Sequence, residues 1–237
     1  MISAQYAWLV WSTAFLVPWI LLYGRFPAHR APMRWASLFT MPFGLTEPLF
    51  VPEYWAPPSL FDLAARTGFD IESLIFSFAI GGVGAVLVNI FTRRTLAAFP
   101  SAMHKVGRHR FHRWALLVPF GLFPVLMLVD WNPIFPAIIA MLVGSALAVW
   151  CRSDLIWPTV FGGALFLGYY VVFLTGLWFT APTGYIRTVW NLEALTGVVI
   201  GFMPLEELLF AVAFGAYWAG LYEHARWQQQ DVRLRSV

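Results

Sequence analysis

The chain reads as an all-α integral membrane protein with seven transmembrane helices, and three observations predict this. The first is composition: 60% of residues are hydrophobic and 11% charged, with mean hydropathy +0.70, whereas soluble domains are about a quarter charged. The second is length of run. A helix rising about 1.5 Å per residue needs roughly 20 apolar residues to cross a bilayer, and the chain offers seven such runs, at about 6–24, 34–51, 71–92, 114–130, 132–151, 155–179 and 195–222. The third is charge. Arg25, Arg30 and Arg34 follow the first run, and Arg93, Arg94, Lys105, Arg108, Arg110 and Arg113 follow the third. Arg152 follows the fifth, and Arg226, Arg233 and Arg235 the seventh. The alternate loops carry Glu53, Asp62, Asp70, Asp130 and Glu193, with only Arg66 and Arg187 as cations. That alternation is the positive-inside pattern of seven spans with the N-terminus outside and the basic loops cytoplasmic, as in a bacterial inner-membrane protein.

Each run has its own justification. The first, in "MISAQYAWLVWS", lacks a basic leader and a small-residue cleavage site, so it reads as a retained span. The second and fourth are the shortest and contain Pro and Gly; the third, fifth and sixth are continuous. The seventh is interrupted by Pro204, so a break inside the membrane, or a segment folded back into it, is expected there. The net charge of +3 comes from residues between apolar runs, not from one face, which excludes a nucleic-acid surface. Cys151 is the only cysteine; it allows no intrachain disulfide and falls in no metal-binding spacing. No Gly-rich phosphate loop occurs, and no nucleotide site is expected. Gly81, Gly82, Gly84, Gly162, Gly163 and Gly168 are expected to let helices approach closely.

The chain also repeats itself. "FDIESLIFSFAIGG" (69–82) aligns with "MPLEELLFAVAFGA" (203–216), placing Glu72 on Glu206, Phe76 on Phe210, Ala79 on Ala213 and Gly81 on Gly215. Apolar identities between membrane helices are cheap, but an intramembrane glutamate is rare. Residues 1–94 then form one three-helix repeat and 132–227 a second, parallel to it. Residues 95–131 are a basic inner loop and linker helix, and 228–237 a polar tail. In this arrangement Glu72 and Glu206 lie at one depth, facing each other across the pseudo-symmetry axis, with Glu47 at the same level.

Helix capping accounts for part of the pattern: Asp70 is placed to cap span three, Glu72 and Glu206 fall in first helical turns, and Pro204 suits position N1. Acids at an intramembrane break nevertheless line a cavity or pair with something. Adjacent Glu206 and Glu207 diverge by about 100° on a helix, so one is expected to face Glu72 and the other Glu47 or a backbone donor. A neutral carboxylic acid beside an ionised partner is equipped to give one proton and take another. Around this layer the core is aromatic, with 22 Phe, 13 Trp and 8 Tyr. Trp8, Trp11, Trp35 and Trp131 read as interfacial belt residues. Tyr54, Trp55, Trp178, Tyr185 and Trp190 cluster in the outer loops beside the acids, where they serve equally as belt residues or as rings that stabilise a carbocation, by about 2 kcal/mol each when desolvated.

The stretch "FMPLEELLFAVAFGAYWAGLYE" resembles the signature of the small, membrane-embedded, flavin-independent lycopene cyclases. In that family each three-span domain carries Pro-x-Glu-(Glu/Asp) at the start of its last span, and two domains, fused or separate, make an enzyme. Pro204, Glu206, Glu207 and the terminal Glu223 match the motif. The first half is similar but divergent. "DIESLIF" has Asp70 for the proline and Ser73 for the second acid, and "TEPLF" (46–50) has Thr46 where the family has Glu. The resemblance implies a carotenoid cyclase acting without redox change or cofactor. An acid protonates the terminal alkene, the cation is attacked intramolecularly, and a base removes a ring proton. It implies Glu206, Glu207, Glu72 and Glu47 as the catalytic set, with Phe76, Phe210, Trp55, Tyr54, Trp178 and Trp190 against a polyene or isoprenoid substrate. A homo-oligomer or a partner from the carotenoid pathway is also compatible with it.

Other membrane functions fit less of the sequence. A proton-coupled transporter would need a polar pathway, yet beyond Asn89 the spans offer only scattered Ser and Thr. A retinal-type photoreceptor needs an intramembrane lysine, and the one lysine, Lys105, lies in an inner loop. A metalloprotease built on the paired glutamates would want an Arg where Ala211 stands and ligands within the spans, where the five histidines do not lie. A non-catalytic, carotenoid-binding scaffold remains compatible and predicts that neutralising Glu206 changes nothing.

Overall fold

The computed structural model describes residues 1–231; the last part of the 228–237 tail, with Arg233 and Arg235, lies outside the described residues. The protein is mostly helical. Helices α1 (Ala4–Ala14) and α2 (Leu16–Arg25) form one bent rod, because Pro18 has no N–H to give the carbonyl of Ala14. Then come α3 (Arg30–Thr40), a 3₁₀ segment Met41–Leu49, the short α4 (Leu63–Thr67), α5 (Ile71–Gly84) and α6 (Leu87–Phe91). Strand β1 (Thr95–Ala98) leads through the basic segment to α7 (His112–Leu126), α8 (Ile134–Cys151), α9 (Ile156–Thr180) and α10 (Tyr185–Val189). A small hairpin, β2 (Val199–Ile200) and β3 (Met203–Pro204), opens onto α11 (Leu205–Ala225), and β4 (Gln228–Asp231) ends the described chain.

Among the described residues, three helical rods are long and apolar enough to cross a membrane: Ala4–Arg25, Ile134–Cys151 and Ser153–Thr180. Their outward faces carry bare apolar side chains, including Leu21, Val160, Val172 and Phe179, each more than half exposed. Polar and ionisable groups are instead turned inward, among them Glu47, Glu72, Asn89, Glu206, Glu207 and Glu223, all buried. This inversion is what a lipid solvent selects.

Several of the apolar runs are not continuous helices. The 34–51 run is α-helical only to Thr40 and tightens to 3₁₀ beyond it, where Pro42 and Pro48 interrupt the α-helical ladder. The 71–92 run breaks between α5 and α6. The 195–222 run becomes helical only at Leu205, so Pro204 sits at the N-cap position, one residue before N1.

Helix α11 packs most heavily on α9, as α5 packs on α3. At the α9–α11 crossing two glycines meet: a Cβ on Gly215 would lie 2.3 Å from the Gly162 carbonyl oxygen, and one on Gly162 would lie 2.5 Å from the Gly215 oxygen. Only hydrogens fit there. Gly168 departs from the expectation for its group, having nothing within 4 Å of the place a Cβ would occupy.

Pairings between the two halves of the chain occur at both ends of the molecule. At one end β1 runs antiparallel to β4, with Thr95 opposite Asp231, Leu96 opposite Gln230 and Ala97 opposite Gln229. Asn89 Nδ2 donates to Glu223 Oε1 at 2.7 Å beside this ribbon, and Gln230 Nε2 donates to Asn89 Oδ1 at 2.7 Å. At the other end Trp55 and Trp190 form an antiparallel bridge, flanked by Ala56 N donating to Val189 O (2.8 Å) and Asn191 N to Tyr54 O (3.0 Å).

Candidate active site

Helix α11 opens with Glu206 and Glu207 in its first turn, and the roughly 100° between them sends the two side chains to different environments. Glu206 turns to the chain just before its helix. Its Oε1 accepts from the Thr196 amide (2.8 Å) and the Thr196 hydroxyl (2.6 Å), pinning the 195–198 loop. Glu72, its counterpart on α5, does the same: Oε1 accepts from the Leu60 amide at 2.7 Å. The two carboxylates expected to face each other across an axis are therefore each turned to their own preceding loop, where main-chain N–H groups need acceptors. Asp70 caps α5 by accepting from Ser73 N at 2.6 Å, as the capping signature requires.

Glu207 points inward. It accepts from Tyr170 Oη at 2.6 Å on Oε2, and from Trp190 Nε1 at 2.5 Å and the Tyr54 hydroxyl on Oε1. Three donors from three separated stretches converge on one carboxyl. The Trp55–Trp190 bridge explains how: pairing 54–56 with 189–191 sets Tyr54 and Trp190 side by side above the start of α11. Asn132 Nδ2 holds the same loop by donating to Glu53 O at 2.7 Å.

Below these donors lies a cavity of about 330 Å³, walled by Glu207 and Ser73 and by aromatic side chains. Glu47 also lines it, from the 3₁₀ segment. That segment lies directly against α5: a Cβ on Gly44 would sit 2.7 Å from the Ser73 and Leu74 backbone. Glu47 Oε2 accepts from Asp70 N at 3.1 Å, while Oε1 has no hydrogen-bond partner among the described residues. The aligned positions Ser73 and Glu207 thus share one cavity, with Glu47 supplying a carboxyl on the serine's side.

The other candidate residues divide in the same way. Phe76, Phe210, Tyr54, Trp55 and Trp190 all line the cavity. Phe76 packs on Trp8 (5.2 Å between centroids) and Phe210 on Tyr170 (6.0 Å). Trp178 lies elsewhere: it stacks on Phe202 at 4.7 Å and is 40% exposed. Trp8, read as a belt residue, is buried at 3% exposure and sits edge-on to Trp55 at 4.7 Å, lining the cavity. The belt reading fails there because α1 turns this face to the interior. Sequence reasoning missed Tyr170, although a signal existed: a tyrosine midway along a 25-residue apolar helix needs a polar partner for its hydroxyl. Phe43 and Phe120, both partly exposed, line the cavity's flank and stack at 6.4 Å, so that wall opens onto the outer surface of the helix bundle.

One hydroxyl that anchors a carboxyl also sets an expectation. Tyr170→Phe removes a donor from Glu207 while keeping the ring, and a loss of about 1–2 kcal/mol of stability is expected, the usual cost of removing a buried hydrogen bond. The unfolding midpoint of the detergent-purified variant beside the natural protein measures it.

Residues 132–225 match the family model for lycopene cyclase. The matched stretch contains Tyr170, Trp190 and the Glu206–Glu207 pair, that is, one wall of the cavity and the carboxyl at its head. No curated protein matches the chain, and no solved structure does. The match supports a carotenoid-cyclase function in general, and with the apolar helices it supports association with a membrane.

Proposed function

We propose that this protein is a carotenoid cyclase of the flavin-independent lycopene type, closing a linear polyene end group into a ring by proton transfer alone. The observation that carries the reading is Glu207. It is the second acid of the Pro-x-Glu-Glu motif, and it is the one held by Tyr54, Tyr170 and Trp190 at the head of an aromatic cavity. Glu207 and Glu47 are the working carboxyls. One adds a proton to the terminal double bond, the nearby internal double bond attacks the resulting cation to close the ring, and the other takes a proton from an adjacent ring carbon. Proton gain and loss balance, so the reaction is an isomerisation. Aromatic faces such as Phe76, Phe210 and Tyr170 attract the cation while it exists. A cavity of about 330 Å³ suits an end group rather than a whole polyene, whose remainder would extend past Phe43 and Phe120 into the bilayer.

The architecture proposed for this chemistry is seven spans with the N-terminus outside, and two parallel three-helix repeats, in a bacterial inner membrane with the basic loops cytoplasmic. The pairings between halves favour the repeat. Leu96 and Gln230, opposite one another at the centre of the β1–β4 ribbon, have the same spacing in sequence as Glu72 and Glu206, and so do the hydrogen-bonded Asn89 and Glu223. A two-fold axis along the membrane normal brings equivalent residues together in this way.

The test is pigment analysis of lycopene-accumulating bacterial cells expressing the chain. Cyclic carotenes are expected with the natural sequence. Glu206→Gln is expected to lower their yield no more than a few-fold, since the amide oxygen still accepts from Thr196. Unchanged lycopene beside well-expressed protein would overturn the cyclase reading in favour of a carotenoid-binding scaffold.

A further inference from the structure

At the opposite end of α11 from the cavity, the fold gathers three ligand-type side chains that no sequence motif announces. His112 opens α7, Cys151 closes α8, and His224 lies in the last turn of α11. All three are buried, and one ligand atom from each lies within 4.8 Å of the others. Counted along α11, the cluster is about 25 Å from Glu207, so it is separate from the proposed chemistry and independent of that reading.

The cluster holds unmet polar capacity. Among the described residues, the fully buried His224 finds no hydrogen-bond partner for either ring nitrogen, and neither does His112 Nδ1. An imidazole sealed from water with both nitrogens idle is costly unless something occupies them. His112 and His224 meet edge to face at 4.4 Å, and His112 stacks on Trp227 at 4.0 Å, which holds the rings in place. Among the described residues the Cys151 thiol makes a single, long contact, 3.9 Å, to the Arg108 carbonyl.

The charged groups that reach the cluster are mostly cations, Arg108, Arg113 and Arg152, with Asp154 as the anion among them. The Arg152 guanidinium is the cation nearest in sequence to the thiol. It is committed to the Asp154 carboxylate (2.5 Å), to Glu223 O (3.1 Å), to Gln228 O (2.7 Å) and to the face of Phe99. His104 and His109 are likewise engaged, with Phe99 O and Met103 O.

We propose that His112, Cys151 and His224 bind one Zn²⁺ ion. One thiolate and two imidazoles are ligands that Zn²⁺ favours, with a fourth position left for water. Zinc–sulfur and zinc–nitrogen bonds of about 2.3 and 2.0 Å in a tetrahedron set the ligand atoms about 3.3–3.6 Å apart, so closure by roughly 1 Å suffices, within the reach of side-chain rotation. Binding displaces the thiol proton and ties the ends of α7, α8 and α11 together.

The test uses the full chain purified in detergent through a tag without histidine, loaded with Zn²⁺ and freed of excess, and then analysed for metal. Co²⁺ serves as a spectroscopic stand-in. About one Zn²⁺ per chain, a thiolate-to-cobalt charge-transfer band and a melting temperature several degrees above that of the chelator-treated protein are expected. The near-isosteric Cys151→Ser should abolish the band and most of the bound zinc, and His224→Gln should weaken retention at least tenfold. Absence of stoichiometric metal in the natural protein would overturn the proposal. So would a metal content unchanged by Cys151→Ser, which decides the matter even if His224→Gln fails to fold.

Discussion

Glu207→Gln is expected to leave lycopene-accumulating cells with lycopene and no detectable cyclic product, a loss of at least about 10²–10⁴-fold, the usual contribution of a positioned acid or base. The protein itself should accumulate and fold. The amide oxygen still accepts from Trp190 Nε1 and the Tyr54 hydroxyl, and the amide nitrogen donates to the Tyr170 hydroxyl in place of the bond it replaces. The variant removes a titratable proton and little else. The contrast with Glu206→Gln gives the experiment its force. The two residues are neighbours in sequence, belong to the same motif and are both buried, yet only Glu207 lines the cavity. If the two variants lost activity equally, the assignment of separate roles would be wrong, and the loop held by Glu206 at Thr196 would have to be part of the catalytic machinery.

The largest effect on folding is expected from Gly215→Val. At this position even a Cβ would stand 2.3 Å from the Gly162 oxygen and 2.4 Å from the Phe166 side chain, and neither backbone oxygen nor helix can yield without separating α9 from α11. Overpacking of a tight core costs about 1–3 kcal/mol where side chains can adjust; two facing backbones adjust less, so a loss at or beyond the upper end is expected. Thermal unfolding followed by fluorescence-detected size-exclusion chromatography in detergent would show it as a lowered midpoint or as loss of the monodisperse peak. Gly168→Ala on the same helix is the control. With nothing within 4 Å of its would-be Cβ, it should be neutral or slightly stabilising, since alanine is the better helix former by about 1 kcal/mol. An equal effect at both positions would mean that composition, not the α9–α11 crossing, governs the response.

Much of this protein is legible along the chain because lipid constrains sequence strongly. The helical, membrane-associated class follows from the long apolar runs, and the rarity of buried carboxylates singles out Glu47, Glu72, Glu206 and Glu207 before any contact is known. The capping role of Asp70 is also a local matter, readable from an acid three residues before Ser73. What sequence could not order is the work done by each acid. Glu206 and Glu207 differ by one position and about 100° of helix, and whether that rotation leads to a loop amide or a cavity depends on where Thr196, Tyr170 and Trp190 lie. The same limit applied to the aromatic residues. Trp8 and Trp178 sit near opposite ends of their apolar runs and look alike as belt residues, yet one is sealed against Trp55 and the other half open beside Phe202.

The sequence by itself determined that the protein is mostly helical and rich in long apolar stretches, and which residue types were too costly to bury there without a reason, because transfer free energy is a property of each segment alone. Only the tertiary structure decided which of those residues meet. Tyr54, Tyr170 and Trp190 converge on Glu207, and His112 and Cys151 on His224, from stretches far apart in the chain. Such meetings are set by how helices cross and how their end loops pair, and periodicity within any one segment holds no record of them.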